Sequence, residues 1–218
     1  MDRLLSKFKE VGALQMVSRT VHELIGRGEL DPKFQCLAFL LVSQISEYLS
    51  DCNELRPVVT LLVEKSRSSY PLVRFAVFHA LGQFAADQSP TFQNMFSESV
   101  LPALIVGAKD PIRRVCIHAL KALSNTLAGC LIEHLTNYAH PLFDALNELL
   151  TTTSPRIYKR VLICIKSLAH CLGNEHFEPF GVKLVGPLLQ NVEKIINKID
   201  FQFLKLQGVI IHTVCTVF

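Results

Sequence analysis

The side chains best suited to chemistry in this 218-residue sequence are its cysteines, its histidines and a set of cations. Cys130 and His134 stand at i and i+4, a spacing that sets both on one helix face. Zinc needs a third and usually a fourth ligand, so two donors make no site. His170, Cys171 and His176 form a second cluster, but a histidine near a helix C-terminus ordinarily complements the helix dipole. The one His22-Glu23 pair is too few for a di-iron centre of the kind that helical-repeat hydroxylases build from several such pairs. Gly26-Arg27-Gly28-Glu29 lacks the Walker lysine and a preceding strand, and it reads as a helix-ending turn. These residues predict no catalytic centre, no metal and no cofactor.

The cations are more orderly. Arg74 and Arg113 each follow the first member of a helical stripe, and Gln35 takes the same place one unit earlier. An arginine repeated at such a place most often ties neighbouring units through carboxylates or turn carbonyls. Arg114, His118, Lys121, Lys159 and Lys166 occupy other polar positions of the same helices. Two readings of them stay open: ordinary solvation, or a concave wall that meets an acidic partner. These seven residues are the candidate partner-binding set. A net charge of +3 is too mild to predict direct nucleic-acid binding, which calls for a concentrated basic face.

No apolar run approaches the roughly 20 residues of a membrane-spanning helix, so no membrane insertion is expected. The first residues, Met1-Asp2-Arg3-Leu4-Leu5-Ser6-Lys7, lack the pattern of a secretory signal. The seven cysteines, odd in number and without a repeated close-pair spacing, read as reduced.

The elements that must position these groups appear as a repeat. Phe34, Leu37, Ala38, Leu41, Val42 and Ile45 fall at the offsets of one helix face. So do Val73, Ala76, Val77, Ala80, Leu81 and Phe84, and then Ile112, Val115, Cys116, Ala119, Leu120 and Leu123. These stripes begin at residues 34, 73 and 112, an interval of 39. A fourth, Ile163, Cys164, Leu168 and Cys171, is broken by Arg160 and Ser167, and a fifth runs Leu206, Val209, Ile210, Thr213, Val214, Val217. Another apolar-periodic segment precedes each striped helix, as in Leu55, Val58, Val59, Leu62 and Val63. Start signals at Asp31-Pro32, Tyr70-Pro71, Asp110-Pro111 and Ser154-Pro155 open the striped helices.

The expected fold is therefore all-α, a HEAT-repeat superhelix in which helix pairs stack and share a continuous core. The expected array is single, covers 1–218 and comprises about five pairs at 11–50, 54–88, 92–127, 131–172 and 175–218. Phe75 and Phe78 are expected in the core between units. The apolar end from Gly208 to Phe218 is expected to continue into a longer array or to make an oligomer contact.

The run from Val73 to Asp87, VRFAVFHALGQFAAD, followed by Pro90-Thr91-Phe92-Gln93-Asn94-Met95-Phe96 and Val100-Leu101-Pro102-Ala103-Leu104, resembles the importin-beta (karyopherin-beta) family, the importin beta-3 branch above all. The resemblance implies a nuclear transport receptor, or part of one, moving between cytoplasm and nucleus. Its implied partners are protein cargo, phenylalanine-glycine nucleoporins and the GTPase Ran, whose GTP form would regulate release. The family's N-terminal Ran-binding repeats and the acidic insertion of some members are not evident here. The alternative is a HEAT-repeat scaffold assembling a multiprotein complex; an enzyme is not expected.

Overall fold

The computed structural model describes residues 31–46, 51–151 and 154–196. Helix α1 spans Pro32–Ile45; a 3-10 turn at Cys52–Leu55 leads into α2, Arg56–Lys65. Then come α3, Pro71–Asp87; α4, Thr91–Ala108; α5, Arg113–Gly129; the single turn α6, Ile132–Leu135; α7, Ala139–Leu149; and α8, Pro155–Ile196. No strand occurs among the described residues. The stretches His22-Glu23, Gly26 to Glu29, the fifth stripe from Leu206 and the end from Gly208 lie outside them.

Proline opens α1, α3 and α8 at the first helical position, where the missing N–H costs no hydrogen bond. Where an aspartate precedes the proline it also caps the turn, whereas Tyr70 before α3 makes no side-chain cap. Asp31 Oδ1 accepts from the Lys33 amide at 2.8 Å, and Asp110 Oδ1 accepts from the Ile112 amide at 2.9 Å. The start signals thus mark real helix entries, although α5 settles into helix only after Ile112. Within α8, Gly173 has φ 69° and ψ 168°, a left-handed conformation that side chains disfavour. It divides α8 into two helical segments set at a kink.

The helices stack in two rows. Helix α3 packs between α1 and α5, and α5 between α3 and α8. The second row is α2, α4 and α7, where α4 touches both α2 and α7. Every stripe is too wide for its own pair to cover, so burial is completed by the next unit. Val73, Ala76, Val77, Ala80, Leu81 and Phe84 are all buried, as are Val115, Cys116, Ala119, Leu120 and Leu123. Ile112, which precedes the helix as its cap, stays exposed. Each large apolar side chain so buried contributes about 1.5–3 kcal/mol relative to leaving it in water. Phe75 and Phe78 are buried, the latter lying so close to α4 that a Cβ on Gly107 would sit 2.2 Å from its ring.

The stripe assigned to α1 is corrected by the structure. Ala38 and Val42 are buried, but Phe34, Leu37 and Leu41 are 60, 56 and 55 % exposed. Cys36, Phe39 and Ser43 complete the buried face instead. A helix apolar on nearly every side carries a period of 3.6 without a unique phase, and packing on α3 chooses the phase. In α8 the buried set Tyr158, Val161, Leu162, Cys164, Ile165, Leu168, Ala169 and Leu172 is wider than the broken stripe foreseen there, with Ile163 and Cys171 only half-buried.

Candidate functional site

Two rungs join successive helices of the first row, and they differ in one residue. Arg74 donates to Asp110 through Nε at 2.6 Å and through Nη2 at 3.1 Å, a two-pronged carboxylate contact. Its Nη1 donates to the carbonyl of Ser68 at 2.8 Å, closing the turn before α3. Arg74 and Asp110 side chains are only 14 and 8 % exposed. The equivalent arginine one unit on, Arg113, reaches the matching residue before Pro155 and finds a hydroxyl, donating from Nη2 to Ser154 Oγ at 2.6 Å. Its charge meets no counter-charge there.

Around that second rung lies an open cleft of about 500 Å³, lined by Arg113, Arg114, Ile117 and His118 of α5 and by Arg156 of α8. Arg113, Arg114 and Arg156 are exposed, and Ile117 is a half-buried apolar floor among them. The ion pairs among the described residues are Lys65–Glu64, Arg74–Asp110 and Lys109–Glu148, none of them in the cleft.

One wall is aromatic. The Arg114 guanidinium carbon lies 3.8 Å from the centroid of the Phe75 ring, a cation–π contact. Phase-matched residues build the rest of this wall: Phe75 meets His118 edge-on at 4.6 Å, and His79 sits 5.5 Å from His118. Burial, reinforced by His79 and by the charges of Lys121, Arg114 and Arg160, pushes His118 down to about 4. Its Nδ1 has no hydrogen-bond partner. His79 is lowered as well, again mainly by burial. Both imidazoles are therefore neutral near pH 7, and the arginines carry the charge of the cleft.

Of the seven candidate residues, Arg113, Arg114 and His118 converge on this cleft, and Lys121 lies near enough to repel a proton on His118. Arg74 is engaged in the first rung. Lys159 is exposed and Lys166 half-buried on α8, and neither lines the cleft. Arg156 does line it and is absent from the candidate set. Counting at 39-residue intervals hides it, because the gap between units widens before α8. Aligning the prolines Pro32, Pro71, Pro111 and Pro155 would have found it, since the residue after each, Lys33, Leu72, Ile112 and Arg156, is exposed.

The cysteines of the two clusters pack within the solenoid, while His170 and His176 are exposed. Cys130 Sγ lies 3.3 Å from Ser97 Oγ, and Cys171 Sγ donates to the Cys130 carbonyl at 3.1 Å. Burial raises both thiols, Cys171 to about 11. Among the described residues no three His, Cys, Asp or Glu side chains are placed to hold a metal ion. No described helix is long and apolar enough to cross a membrane.

No protein-family model matches the chain. It is 27% identical over 164 residues to Importin subunit beta-3 of Saccharomyces cerevisiae, covering 74% of this chain and 15% of that protein. Its fold is similar to that of Kap121p bound to Pho4p, with a TM-score of 0.79 at 22% identity over 92% of this chain and 19% of that one. Kap121p bound to Nup53p gives the same TM-score of 0.79, identity of 22% and coverage of 92% and 19%. The chain thus spans less than a fifth of the length of these relatives. Its described helices form a HEAT-repeat solenoid, and in sequence and fold alike the chain is similar to the importin-beta (karyopherin-beta) family.

Proposed function

We propose that the chain is a segment of an importin-beta-type nuclear transport receptor, which binds protein cargo and nucleoporins and shuttles between cytoplasm and nucleus. The observation that carries this reading is that sequence and fold point to the same kind of relative, with 27% identity to Importin subunit beta-3 and a TM-score of 0.79 to Kap121p, each over most of this chain. Solved Kap121p complexes contain Pho4p, Nup53p and the SUMO protease Ulp1p, which supports binding as the activity and gives no reason to assign a catalysed reaction. The array is taken as five helix pairs over 1–218, within a longer solenoid. Release of cargo by Ran-GTP is part of this reading, although the repeats that bind Ran in such receptors are not evident in this sequence.

Mechanically, a stack held by apolar sharing between neighbours and by a few polar rungs flexes by small changes at each junction. Binding without turnover follows. The test is a pull-down from purified components, with Ran loaded with GTP or GDP and with phenylalanine-glycine nucleoporin repeats as baits. Selective capture by Ran-GTP together with nucleoporin binding supports a receptor segment complete in its regulation. Nucleoporin binding alone supports a segment without the Ran contacts. Failure to bind any of these baits overturns the transport reading and favours a HEAT scaffold.

A further inference from the structure

We infer that the cleft between α5 and α8 is a docking site for a short acidic segment of a partner protein, carboxylates on Arg113, Arg114 and Arg156 with an apolar side chain against Ile117. This names the chemistry of a partner and rests on reading the chain as a partner-binding solenoid segment.

The two rungs leave their arginines differently occupied. Where Asp110 occupies the guanidinium fork of Arg74, Ser154 offers Arg113 a single hydroxyl oxygen. A guanidinium presents five N–H donors in a planar fork that matches a carboxylate. One of those donors is satisfied by Ser154, and the side chain is exposed where it lines the cleft. Arg114 rests over the Phe75 ring and remains exposed at the cleft. Arg156 faces both across the cleft, from the next helix. Three exposed guanidinium groups without a carboxylate partner among the described residues, set over an apolar floor, ask for a ligand that is both anionic and partly apolar.

On α3 the places equivalent to Arg114 and His118 are held by Phe75 and His79, and the place equivalent to Arg113 by the neutralised Arg74. The patch does not continue as a stripe onto α3, while within α5 and α8 it includes Lys121 and Arg160, whose charges act on His118. A polyanion strand needs such a stripe; a few acidic residues of a peptide need only this cleft. Neutral His118 and His79 keep the aromatic wall uncharged near neutrality, so the attraction is set by the arginines.

The test is fluorescence-polarisation titration of the whole 218-residue chain with a dye-labelled peptide of aspartate and glutamate around one leucine. The controls are its lysine counterpart, a polyuridine oligonucleotide and phenylalanine-glycine repeats. The acidic peptide is expected to bind, to weaken severalfold between low and physiological salt, and to keep its affinity from pH 6 to 8. The double variant Arg113→Glu, Arg156→Glu is expected to lose at least about tenfold in affinity, with circular dichroism and phenylalanine-glycine binding unchanged. Arg113→Gln serves as the milder variant if charge reversal impairs folding, and a loss of about threefold or more supports the site. Absence of peptide binding while phenylalanine-glycine repeats still bind overturns this inference and leaves the transport reading standing. Tighter binding of the oligonucleotide, lost in the same variants, also overturns it. Loss of phenylalanine-glycine binding by the unmodified chain counts against the transport reading instead.

Discussion

The α3–α5 junction and the α5–α8 junction use the same device with opposite results. In the first, Arg74 is enclosed between Asp110 and the turn carbonyl of Ser68, and the two charges are taken up within the protein. In the second, Arg113 meets Ser154, the neighbouring Arg114 and Arg156 are exposed, and a cleft remains open. An aspartate at the residue before the helix proline makes the arginine part of the frame; a serine there leaves the arginine charged toward solvent. The chemistry a repeat protein presents is thus decided by which rung is left incomplete.

The largest effect is expected where α3 meets α4, within the unit that carries Arg74. Gly107→Ala sets a Cβ 2.2 Å from Cζ of Phe78 and 2.6 Å from its Cε2. Because the ring is buried and cannot swing away, the cost is expected at about 3 kcal/mol, read as a lower midpoint in urea unfolding. In the open region, Ile117→Ala should cost less than about 1 kcal/mol, since the side chain is only half-buried.

The rungs give the next effect. Arg74→Gln leaves Asp110, nearly buried, without its cation, and about 2–3 kcal/mol of stability should go with it. Arg113→Gln removes a charge that is exposed and bonded to one hydroxyl, for which less than about 0.5 kcal/mol is expected. Equal losses in the two variants would erase the distinction between the junctions.

Acid separates them more gently. In the folded chain His118 is pushed down to about 4 from an ordinary value of 6.5, so between those values the unfolded chain binds the proton that the folded chain refuses. Stability should therefore fall as pH drops from about 6.5 toward 4, and this contribution should level off below that. Since the ring is only half-buried, solvent screening reduces the effect to about 1 kcal/mol. His118→Phe should flatten this part of the pH profile relative to the unmodified chain. A profile with the same slope in the variant would assign the acid sensitivity to other groups.

Much of the frame was legible in the residues. The 39-residue interval and the X-Pro start signals marked where α1, α3, α5 and α8 enter, because proline and its capping neighbour act locally. The phase of α1 was not, since Phe34, Leu37 and Leu41 fit one face as well as Cys36 and Phe39 fit another. Arg74 and Arg113 could be recognised as equivalent, but their divergence depends on Asp110 and Ser154, more than 35 positions downstream and brought close only by stacking. Arg156 escaped because the repeat interval stretches before it. The aromatic wall was half visible, as Phe75 read as core while its role under Arg114 needed the neighbouring helix.

The most direct test of the two-junction account measures thermal stability and acidic-peptide affinity on the same preparations of the Arg74→Gln and Arg113→Gln variants. The account predicts a melting temperature lowered by about 4–10 °C for Arg74→Gln, with peptide affinity retained below its transition. For Arg113→Gln it predicts an unchanged melting temperature and weakened peptide binding. The reverse pattern, with Arg113→Gln unstable and Arg74→Gln defective in binding, would contradict it.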